Sequence, residues 1–341
     1  MVPVAESKHG GTPAGIASER WQEVLEALAG MIPSGAACRI DGDGGDTAMV
    51  ADGLAAVLSA AGRPCLRVDG VDAHPGTAEG TVTVAAGRSR SSSEGSQVVI
   101  WLSGRHTGGT SRDDEELRAH VVVDLHDPDW PVIRHVALPL AGRSRWYVTE
   151  SRAFFARRAA TWDGKYGDDM PAYAAAIDES GIPPGGIALD VGCGTGRALP
   201  ALRAAVGPSG QVIGVDLTPQ MLHVAQRSGR AEDAVLLLAD ACHLPLVDGS
   251  VHAVFAAGLI NHLPHLAGGI GELARVTRPG GRLIIFHPSG RAVQLARHGR
   301  TPRPDDPLER GPLSALLSRT GWRLDGYDDP PHRFLAQAVR T

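Results

Sequence analysis

The sequence predicts an α/β fold in both halves of the chain, each with a mostly parallel sheet flanked by helices. Short apolar runs rich in β-branched residues alternate with longer amphipathic runs, which is the pattern of repeated strand–helix units. The 341 residues are enough for two domains of ordinary size. A basic helical stretch from Ser151 to Thr161 follows the first half, so we predict domains at residues 1–150 and 151–341.

In the second half the predicted elements follow one another regularly, because apolar strand runs and helical periodicity alternate without long gaps. Strands are predicted at Ile187–Val191, Gln211–Asp216, Ala234–Ala239, Val251–Ala257 and Arg282–Phe286. Helices are predicted at Leu199–Val206, Pro219–Ser228, Leu266–Thr277 and Leu313–Thr320. The last two apolar runs, Trp322–Tyr327 and Phe334–Val339, are predicted to form a closing antiparallel pair.

The first half has the same alternation but a long interruption. Helices are predicted at Ser18–Met31 and Ala48–Ala61, and strands at a run ending in Asp41 and at Cys65–Val68, Val98–Leu102 and Ala119–Leu125. Between Gly70 and Gln97, Gly, Ser, Arg and Thr dominate. We therefore predict a mobile loop for this stretch.

Composition excludes several classes of protein. With 43% apolar and 21% charged residues, the chain is not expected to be disordered. A net charge of −5 argues against nucleic acid as a partner. No uncharged apolar run approaches the roughly 18 residues of a membrane span, and the N-terminus has no apolar signal core. The 4 cysteines are widely spaced, so we expect a cytoplasmic protein in a reducing compartment.

The strongest functional signal is the stretch Ile187-Ala-Leu-Asp-Val-Gly-Cys-Gly-Thr-Gly196. A predicted strand ends in Asp190, and Gly192, Gly194 and Gly196 then alternate before a helix. Glycine permits positive φ in such a tight turn and lets a ligand approach the bare backbone. The following helix offers unpaired N–H groups at its N-terminus. The turn is therefore predicted to bind a ligand.

Two further acids end the next predicted strands of this half. Asp216 ends the second strand, where a carboxylate can accept hydrogen bonds from both hydroxyls of a ribose. Asp240 follows the third strand, where an acid can meet the amino group of adenine. Because the carboxyl ends of parallel strands share one edge, these acids and Asp190 are predicted to line one ligand site.

With these motifs, residues 160–341 resemble a class I S-adenosylmethionine-dependent methyltransferase. The resemblance implies a Rossmann-like sheet of seven strands whose last strand is antiparallel, and S-adenosyl-L-methionine as cofactor. The matching stretches are Leu189-Asp-Val-Gly-Cys-Gly-Thr-Gly196, Val212-Ile-Gly-Val-Asp-Leu-Thr-Pro-Gln-Met-Leu222, Ala239-Asp-Ala-Cys-His-Leu-Pro-Leu246 and Glu272-Leu-Ala-Arg-Val-Thr-Arg-Pro-Gly-Gly-Arg-Leu283.

The resemblance also implies a role for particular residues. The acid at the end of the first strand binds the amino group of the cofactor, and the glycine loop passes its methionine part. The second acid holds the ribose, and the third lies at the amino edge of adenine. The residues expected at the cofactor are Asp190, Gly192, Cys193, Gly194, Thr195, Gly196, Asp216, Leu217, Met221, Asp240, Ala241, Ala257, Gly258 and Tyr166.

Methyl transfer from a sulfonium is a direct displacement, so an enzyme helps mainly by alignment and exclusion of water, worth about 7–11 kcal/mol. A base is needed only for an acceptor that is protonated at working pH. His262 and His287 follow the fourth and fifth strands of this half and are the candidate bases, although either could only shape the pocket. His262 and His265 form an HxxH pair without a nearby Cys, Asp or Glu, so no metal is expected.

Aromatic residues cluster just before the first strand of the second half. In the resembling family this region forms a lid, so Trp162 or Tyr166 is expected to touch the cofactor or the acceptor, with plain packing as the alternative. Together with Phe154, Phe155 and Tyr173 they could equally form the interface between the two halves.

In the first half, the stretch Arg39-Ile-Asp-Gly-Asp-Gly-Gly-Asp-Thr-Ala48 resembles the opening of a uridine kinase-like P-loop domain. A P-loop needs a lysine before its Ser or Thr to reach the β- and γ-phosphates, but here Asp46 precedes Thr47. A carboxylate repels a triphosphate. We therefore predict a degenerate P-loop-like domain without phosphoryl transfer, which could dock a partner, cover the other half or dimerise.

The sequence thus predicts methyl transfer from S-adenosyl-L-methionine to a small-molecule acceptor. Two alternatives are kept: a bifunctional protein whose first half binds a nucleotide or phosphorylates a nucleoside-like substrate, and a cofactor-binding regulator without turnover. The acceptor and the oligomeric state, a homodimer included, are not readable from the sequence.

Overall fold

The computed structural model of the chain describes residues 19–43, 45, 47–68, 79–87, 97–104, 116, 118–142, 146–297 and 300–341. The chain divides into two compact units, Met1–Trp146 and Tyr147–Thr341, and each has its own sheet. Asp46, on which the interpretation of the first loop depended, lies outside the described residues. Within the described part of the chain, no helix has the length and apolar character needed to cross a membrane.

The first unit contains, in its described part, a sheet of six strands in the order β2-β3-β1-β4-β5-β6. The first five strands in this order are parallel, and β6 runs antiparallel to β5. The strands are β1 (Ala37–Gly42), β2 (Cys65–Val68), β3 (Val82–Ala86), β4 (Gln97–Ser103), β5 (Val121–Asp124) and β6 (Val132–Val136). The helices are α1 (Glu19–Met31), α2 (Thr47–Ala60) and α3 (Leu138–Ala141).

Helices α1 and α2 cover this sheet with apolar faces. In α1 the buried side chains recur at spacings of three and four, which places them on one face of the helix. They join the buried leucines of α2 and the strand residues in one hydrophobic cluster. The helix predictions for this unit are thus confirmed, with ends shifted by one residue.

The prediction of a mobile loop from Gly70 to Gln97 is wrong for strand β3. This strand pairs in parallel with both β1 and β2, so it lies inside the sheet. Val82, Val84 and Ala85 are fully buried. Valine and threonine favour strands, but β3 has only five residues, two of them alanine, and the glycine- and serine-rich flanks concealed it. Strand β6 was also missed.

The second unit contains a seven-stranded sheet in the order β12-β13-β11-β10-β7-β8-β9. Strand β13 lies between β11 and β12 and is antiparallel to both, which confirms the predicted antiparallel last strand. The strands are β7 (Ile187–Val191), β8 (Gln211–Asp216), β9 (Val235–Leu238), β10 (Val251–Ala257), β11 (Thr277–His287), β12 (Trp322–Asp328) and β13 (Phe334–Arg340).

Helices lie between these strands in the chain and before the first of them. They are α4 (Trp146–Arg158), α5 (Trp162–Tyr166), α6 (Met170–Asp178), α7 (Leu199–Val206), α8 (Pro219–Arg227), α9 (Leu266–Val276), α10 (Arg291–Ala296) and α11 (Arg310–Arg319). Short 3₁₀ turns occur at Ala159–Thr161 and Ile260–His262. The stretch predicted as a basic connector therefore begins as helix α4, several residues earlier than predicted.

The second sheet is buried on both faces, since alternate residues of its strands enter different hydrophobic clusters. Leu283 and Ile285 of β11 pack on one face, and Ile284 and Phe286 pack on the other. At the centre, β7 is parallel to β8 on one side and to β10 on the other. The chain runs outward from β7 through β8 and β9 and then returns to the other side of β7 with β10. Open α/β sheets bind ligands at the carboxyl ends of the strands that flank such a point.

Candidate functional site

The glycine loop after β7 is tied to the end of β8 by backbone hydrogen bonds. The N–H groups of Gly192 and Cys193 both donate to the carbonyl oxygen of Val215, at 2.8 and 2.9 Å. The N–H of Gly194 donates to Oδ2 of Asp216 at 2.9 Å. The alternating glycines all have left-handed φ angles: 72° at Gly192, 52° at Gly194 and 81° at Gly196. Only glycine adopts this conformation without strain, so the residue type is dictated by the turn.

Asp216 is held by the backbone at the end of β8. Besides the bond from Gly194, its Oδ1 accepts the N–H of Thr218 at 2.7 Å. Burial raises the pKa of Asp216, while these backbone N–H donors oppose that rise. Each carboxylate oxygen therefore has one fixed donor and keeps further lone pairs for a ligand.

Asp190 is the most deeply buried acid at this edge, with 2% of its surface exposed. Its Oδ2 has no hydrogen-bond partner. Burial, and the nearby charge of Asp216, raise the pKa of Asp190 to about 8. A buried carboxyl oxygen without a partner is costly, and a cationic group of a ligand would relieve that cost.

Asp240 lies beyond the end of β9, and its carboxylate accepts hydrogen bonds from Tyr147 and Cys242. The hydroxyl of Tyr147 donates to Oδ2 at 2.5 Å, and the N–H of Cys242 donates to Oδ1 at 2.9 Å. Nδ1 of His243 lies 3.1 Å from Oδ2. Burial acts to raise the pKa of Asp240, but the hydrogen bonds with Tyr147, Cys242 and His243 lower it by more, so the pKa lies below its ordinary value. Asp240 is therefore a stable carboxylate.

Helix α4 crosses the carboxyl edge of the sheet, which the sequence did not predict. It reaches the residues that follow β9, β8 and β10 in turn. The contacts are Tyr147 with Asp240, Arg152 Nε with the carbonyl oxygen of Leu217 at 2.9 Å, and the ring of Phe155 with that of His262 at 4.9 Å between centroids. The helix therefore covers the site, and no short-range pattern pairs a tyrosine with an acid so distant in sequence.

The predicted lid segment is bound to the glycine loop by charged hydrogen bonds. Asp163 in α5 accepts the hydroxyl of Thr195 and Nη1 of Arg230, both at 2.7 Å. Burial opposes the ionisation of Asp163, but these bonds outweigh it and lower its pKa. Arg197 pairs with Asp169 at 2.9 Å, just after α5. The segment is thus fixed against the loop, and the hydroxyl of Thr195 is used for this purpose.

The aromatic cluster predicted around the lid divides into two groups. Phe154, Phe155, Trp162 and His262 contact one another, with Phe155 at 5.6 Å from Trp162 between ring centroids. Tyr173 instead packs in the core of the second unit, 5.0 Å from the ring of Phe286. The side chain of Tyr166, expected at the cofactor, lies outside the described residues.

The remaining predicted residues follow the same edge. Ala257 ends β10, and the N–H of Gly258, which follows it, donates to the carbonyl oxygen of Phe286 at 2.9 Å. Met221 is buried in α8. Cys193 is buried in the core on the β8 side, so only its backbone faces the loop. Among the described residues, no group of three or more His, Cys, Asp or Glu is arranged to hold a metal ion.

His287 ends β11, beside the strand end that carries Gly258. Its Nδ1 lies 3.0 Å from the backbone nitrogen of Ser289 and 3.1 Å from the carbonyl oxygen of the same residue. Burial lowers the pKa of His287 to about 4, the charge of Arg297 acts in the same direction, and a hydrogen bond to the backbone of Ser289 opposes them. The imidazole is therefore neutral near pH 7.

Comparison with known protein families gives a match to the part of the chain that contains the glycine loop and the acids at the strand ends. Residues 189–285 match a family described as a methyltransferase domain. The match begins in β7 and ends in β11, and it includes the glycine loop, Asp216 and Asp240. The matched stretch lies within the second unit and covers the strand ends described above.

Curated relatives match about a third of the chain. An uncharacterised 37.1 kDa protein in transposon Tn4556 of Streptomyces fradiae is 41% identical over 113 residues, 33% of this chain and 33% of that protein. Arsenite methyltransferase of Halobacterium salinarum is 37% identical over 128 residues, which are 37% of this chain and 30% of that protein. Demethylmenaquinone methyltransferase of Staphylococcus aureus is 36% identical over 114 residues, which are 33% of this chain and 47% of that protein. The matches therefore span less than half the length of each relative.

Solved structures of methyltransferases are also similar to part of this chain. A SAM-dependent methyltransferase from Aquifex aeolicus is 22% identical, with a TM-score of 0.44, over 56% of this chain and 98% of that chain. Magnesium protoporphyrin IX methyltransferase from Synechocystis with bound SAH is 20% identical, with a TM-score of 0.44, over 57% of this chain and 100% of that chain.

Proposed function

We propose that the second unit transfers the methyl group of S-adenosyl-L-methionine to a small-molecule acceptor by direct displacement. The observation that carries this proposal is the buried carboxyl of Asp190, whose Oδ2 has no partner, beside a glycine loop tied to Asp216. An ammonium group is the ligand chemistry that such a carboxyl requires. The names of the matched relatives, which act on demethylmenaquinone and arsenite, favour a small acceptor.

In this proposal each carboxylate at the edge holds a different part of the cofactor. Asp190 binds the ammonium group, Asp216 accepts the ribose hydroxyls, and Asp240 with Ala241 meets the amino edge of adenine. Leu217 and Met221 flank the adenine ring. The backbone of the loop, with Gly192, Cys193, Gly194, Thr195 and Gly196, passes the methionine part, and Ala257, Gly258 and Tyr166 complete the site.

The bound cofactor supplies a methyl group on a positively charged sulfur. The protein then has to align the acceptor opposite the sulfur–methyl bond and to keep water out. Helices α4 and α5 cover the edge, which serves the exclusion of water. His262, packed against Phe155, is the candidate to take a proton from an acceptor that arrives protonated.

For the first unit we propose a role without phosphoryl transfer. In the turn after β1, the N–H of Gly42 donates to Asp41 at 2.7 Å. The N–H of Gly104, after β4, donates to Asp43 at 3.1 Å. These carboxylates use backbone donors that a phosphate would need, and they would repel it. Docking of a partner or dimerisation through this unit stays open.

Calorimetry of the full chain with S-adenosyl-L-homocysteine and with S-adenosyl-L-methionine tests the proposal. Saturable binding of both compounds, followed by methyl transfer to a member of a panel of small acceptors, is the expected result. An absence of binding at millimolar ligand would remove the proposal. Binding without transfer to any acceptor of a broad panel would instead favour a regulatory protein without turnover.

Cofactor affinity is expected to increase with pH between about pH 6 and 7.5. The pKa of Asp190 is raised to about 8, so this carboxyl holds a proton in the free protein over that range. Pairing with an ammonium group favours the carboxylate, so binding releases the proton. The dissociation constant should then fall by about tenfold per pH unit. Calorimetry in two buffers of different ionisation enthalpy measures the released proton, and a flat affinity would contradict this role of Asp190.

Two glycines of the loop should respond differently to alanine. A Cβ on Gly196 would lie 3.0 Å from Cβ of Ala225 and 3.1 Å from Cδ1 of Leu199, whereas a Cβ on Gly194 would meet only the carbonyl oxygen of Gly192, at 3.9 Å, among the described atoms. We expect Gly196→Ala to lower the free energy of unfolding by about 2–4 kcal/mol, from overpacking and backbone strain together. Gly194→Ala should cost about 1–2 kcal/mol from strain alone.

The same two variants, Gly194→Ala and Gly196→Ala, distinguish an effect on folding from an effect on cofactor binding. Because a methyl group on Gly194 would project into the open space beside the loop, Gly194→Ala should remain folded and bind S-adenosyl-L-homocysteine at least about tenfold more weakly. Denaturant unfolding and calorimetry on the two variants measure both quantities. Wild-type affinity in Gly194→Ala would mean that the cofactor does not lie against this turn.

A further inference from the structure

Helix α4 reaches the third acid of the carboxyl edge through a tyrosine hydroxyl. Tyr147, in the first turn of α4, donates to Oδ2 of Asp240 at 2.5 Å. This length is typical of a hydrogen bond from a hydroxyl to a charged carboxylate, which is stronger than a bond between neutral groups. The two residues are 93 positions apart in the chain, so the bond joins α4 to the loop that follows β9.

The carboxylate of Asp240 has described partners at both oxygens. The N–H of Cys242 donates to Oδ1 at 2.9 Å, which fixes that oxygen to the backbone. At Oδ2, Nδ1 of His243 lies 3.1 Å away, but the His243 side chain is 65% exposed, whereas the Asp240 side chain is 11% exposed. Solvent weakens a polar contact with such an exposed side chain. Tyr147 is therefore the stronger of the two side-chain partners described at Oδ2.

The same helix touches the neighbouring strand end in a different way. Nε of Arg152 donates to the carbonyl oxygen of Leu217 at 2.9 Å. In the proposed position of the cofactor, Leu217 flanks the adenine ring and Asp240 meets its amino edge. The bond from Arg152 ends on the backbone and touches no group that would distinguish one base from another. Tyr147 is thus the contact of α4 that acts on the acid at the amino edge.

We propose that Tyr147 is a positioning residue for recognition of the base, and that its hydroxyl holds the carboxylate of Asp240 in the orientation that accepts the amino group of adenine. This inference rests on the proposed binding of S-adenosyl-L-methionine. An ionised carboxylate accepts hydrogen bonds and donates none, so it favours a base that carries an amino donor at this edge. Helix α4 thereby covers the site and also contributes to the choice of cofactor.

Calorimetry of the full chain with two ligands tests the inference. The ligands are S-adenosyl-L-homocysteine and an analogue in which a hydrogen atom replaces the amino group of adenine. The wild type should bind S-adenosyl-L-homocysteine at least about tenfold more tightly than the analogue. In Tyr147→Phe, which keeps the ring, this ratio of affinities should fall about three- to tenfold, because the carboxylate then has to be ordered as the ligand binds. The affinity for the analogue should change less than about twofold.

Two controls separate positioning from a general loss of structure. Tyr327→Phe also removes a tyrosine hydroxyl from the second unit, one that donates to the carbonyl oxygen of Leu308 at 3.1 Å, and it should leave the ratio unchanged. In Asp240→Ala the carboxylate is absent, so adding Tyr147→Phe should not change the ratio further. Denaturant unfolding of every variant measures any loss of stability independently of the ratio.

The remaining outcomes contradict the inference or the proposed function. An unchanged ratio in Tyr147→Phe would show that α4 only covers the site, and a higher ratio would show that the hydroxyl competes with adenine; either would overturn the inference. Equal binding of the two ligands by the wild type would also overturn it, because the amino group would then not meet Asp240. If S-adenosyl-L-homocysteine does not bind to the wild type, the proposed methyl transfer itself fails.

Discussion

Replacing Asp190 by asparagine is expected to weaken cofactor binding by about 10- to 100-fold while stabilising the cofactor-free protein at pH 8. The loss of affinity follows from the removal of a charge-assisted hydrogen bond to the ammonium group, worth about 1.5–3 kcal/mol. The gain in stability follows because asparagine is neutral at every pH, whereas at pH 8 the buried Asp190 either holds a proton far above its ordinary pKa or ionises without a partner.

The sign of the stability effect follows from the pKa of Asp190. In the folded protein this pKa is about 8, above the ordinary value for an aspartate, so the folded state holds one more proton than the unfolded state between about pH 4 and 8. The stability of the wild type therefore falls as the pH rises through that range. We expect Asp190→Asn to lack this fall and to be about 1–3 kcal/mol more stable at pH 8.

Denaturant unfolding at several pH values and calorimetry with S-adenosyl-L-homocysteine measure the two effects. Asp305→Asn is the matched control, because Asp305 is an exposed acid that pairs only locally with Arg303 among the contacts described. It should change neither quantity. A variant Asp190→Asn that bound the cofactor like the wild type would show that the unpaired oxygen serves no ligand.

Asp216→Ala is expected to reduce both cofactor affinity and stability. The affinity should fall at least about tenfold, since charged hydrogen bonds to the ribose are worth about 1.5–3 kcal/mol. The free energy of unfolding should fall by about 1–3 kcal/mol, because the N–H groups of Gly194 and Thr218 lose their acceptor. The glycine loop and Asp216 thus form one structural unit.

The two losses are separable in the same experiments. Calorimetry at a temperature where Asp216→Ala is folded measures the affinity, and denaturant unfolding measures the stability. Asp233→Ala, which removes an exposed acid of the same unit, is the control and should leave both unchanged. If Asp216→Ala lost stability but kept its affinity for the cofactor, the carboxylate would stabilise the loop and would not bind the ribose.

The edge of the second sheet was predictable because its determinants are local. The strand bounds of β7, β8 and β10 follow from apolar runs, and the turn after β7 follows from its alternating glycines. The acids at the strand ends meet because parallel strands carry their carboxyl ends to one edge, whatever the side-chain packing. Strand β3 was missed for the converse reason, since its few residues form a strand through pairing with β1 and β2.

The sequence by itself determined the two α/β units, the glycine turn and the order in which Asp190, Asp216 and Asp240 reach the cofactor edge. Those features depend on periodicity and turn chemistry within a few residues. The hydrogen bond from Tyr147 to Asp240 and the unpaired oxygen of Asp190 are visible only in the folded structure. These depend on burial and on contacts between distant segments, and burial sets the charge and the hydrogen-bond partners of a side chain.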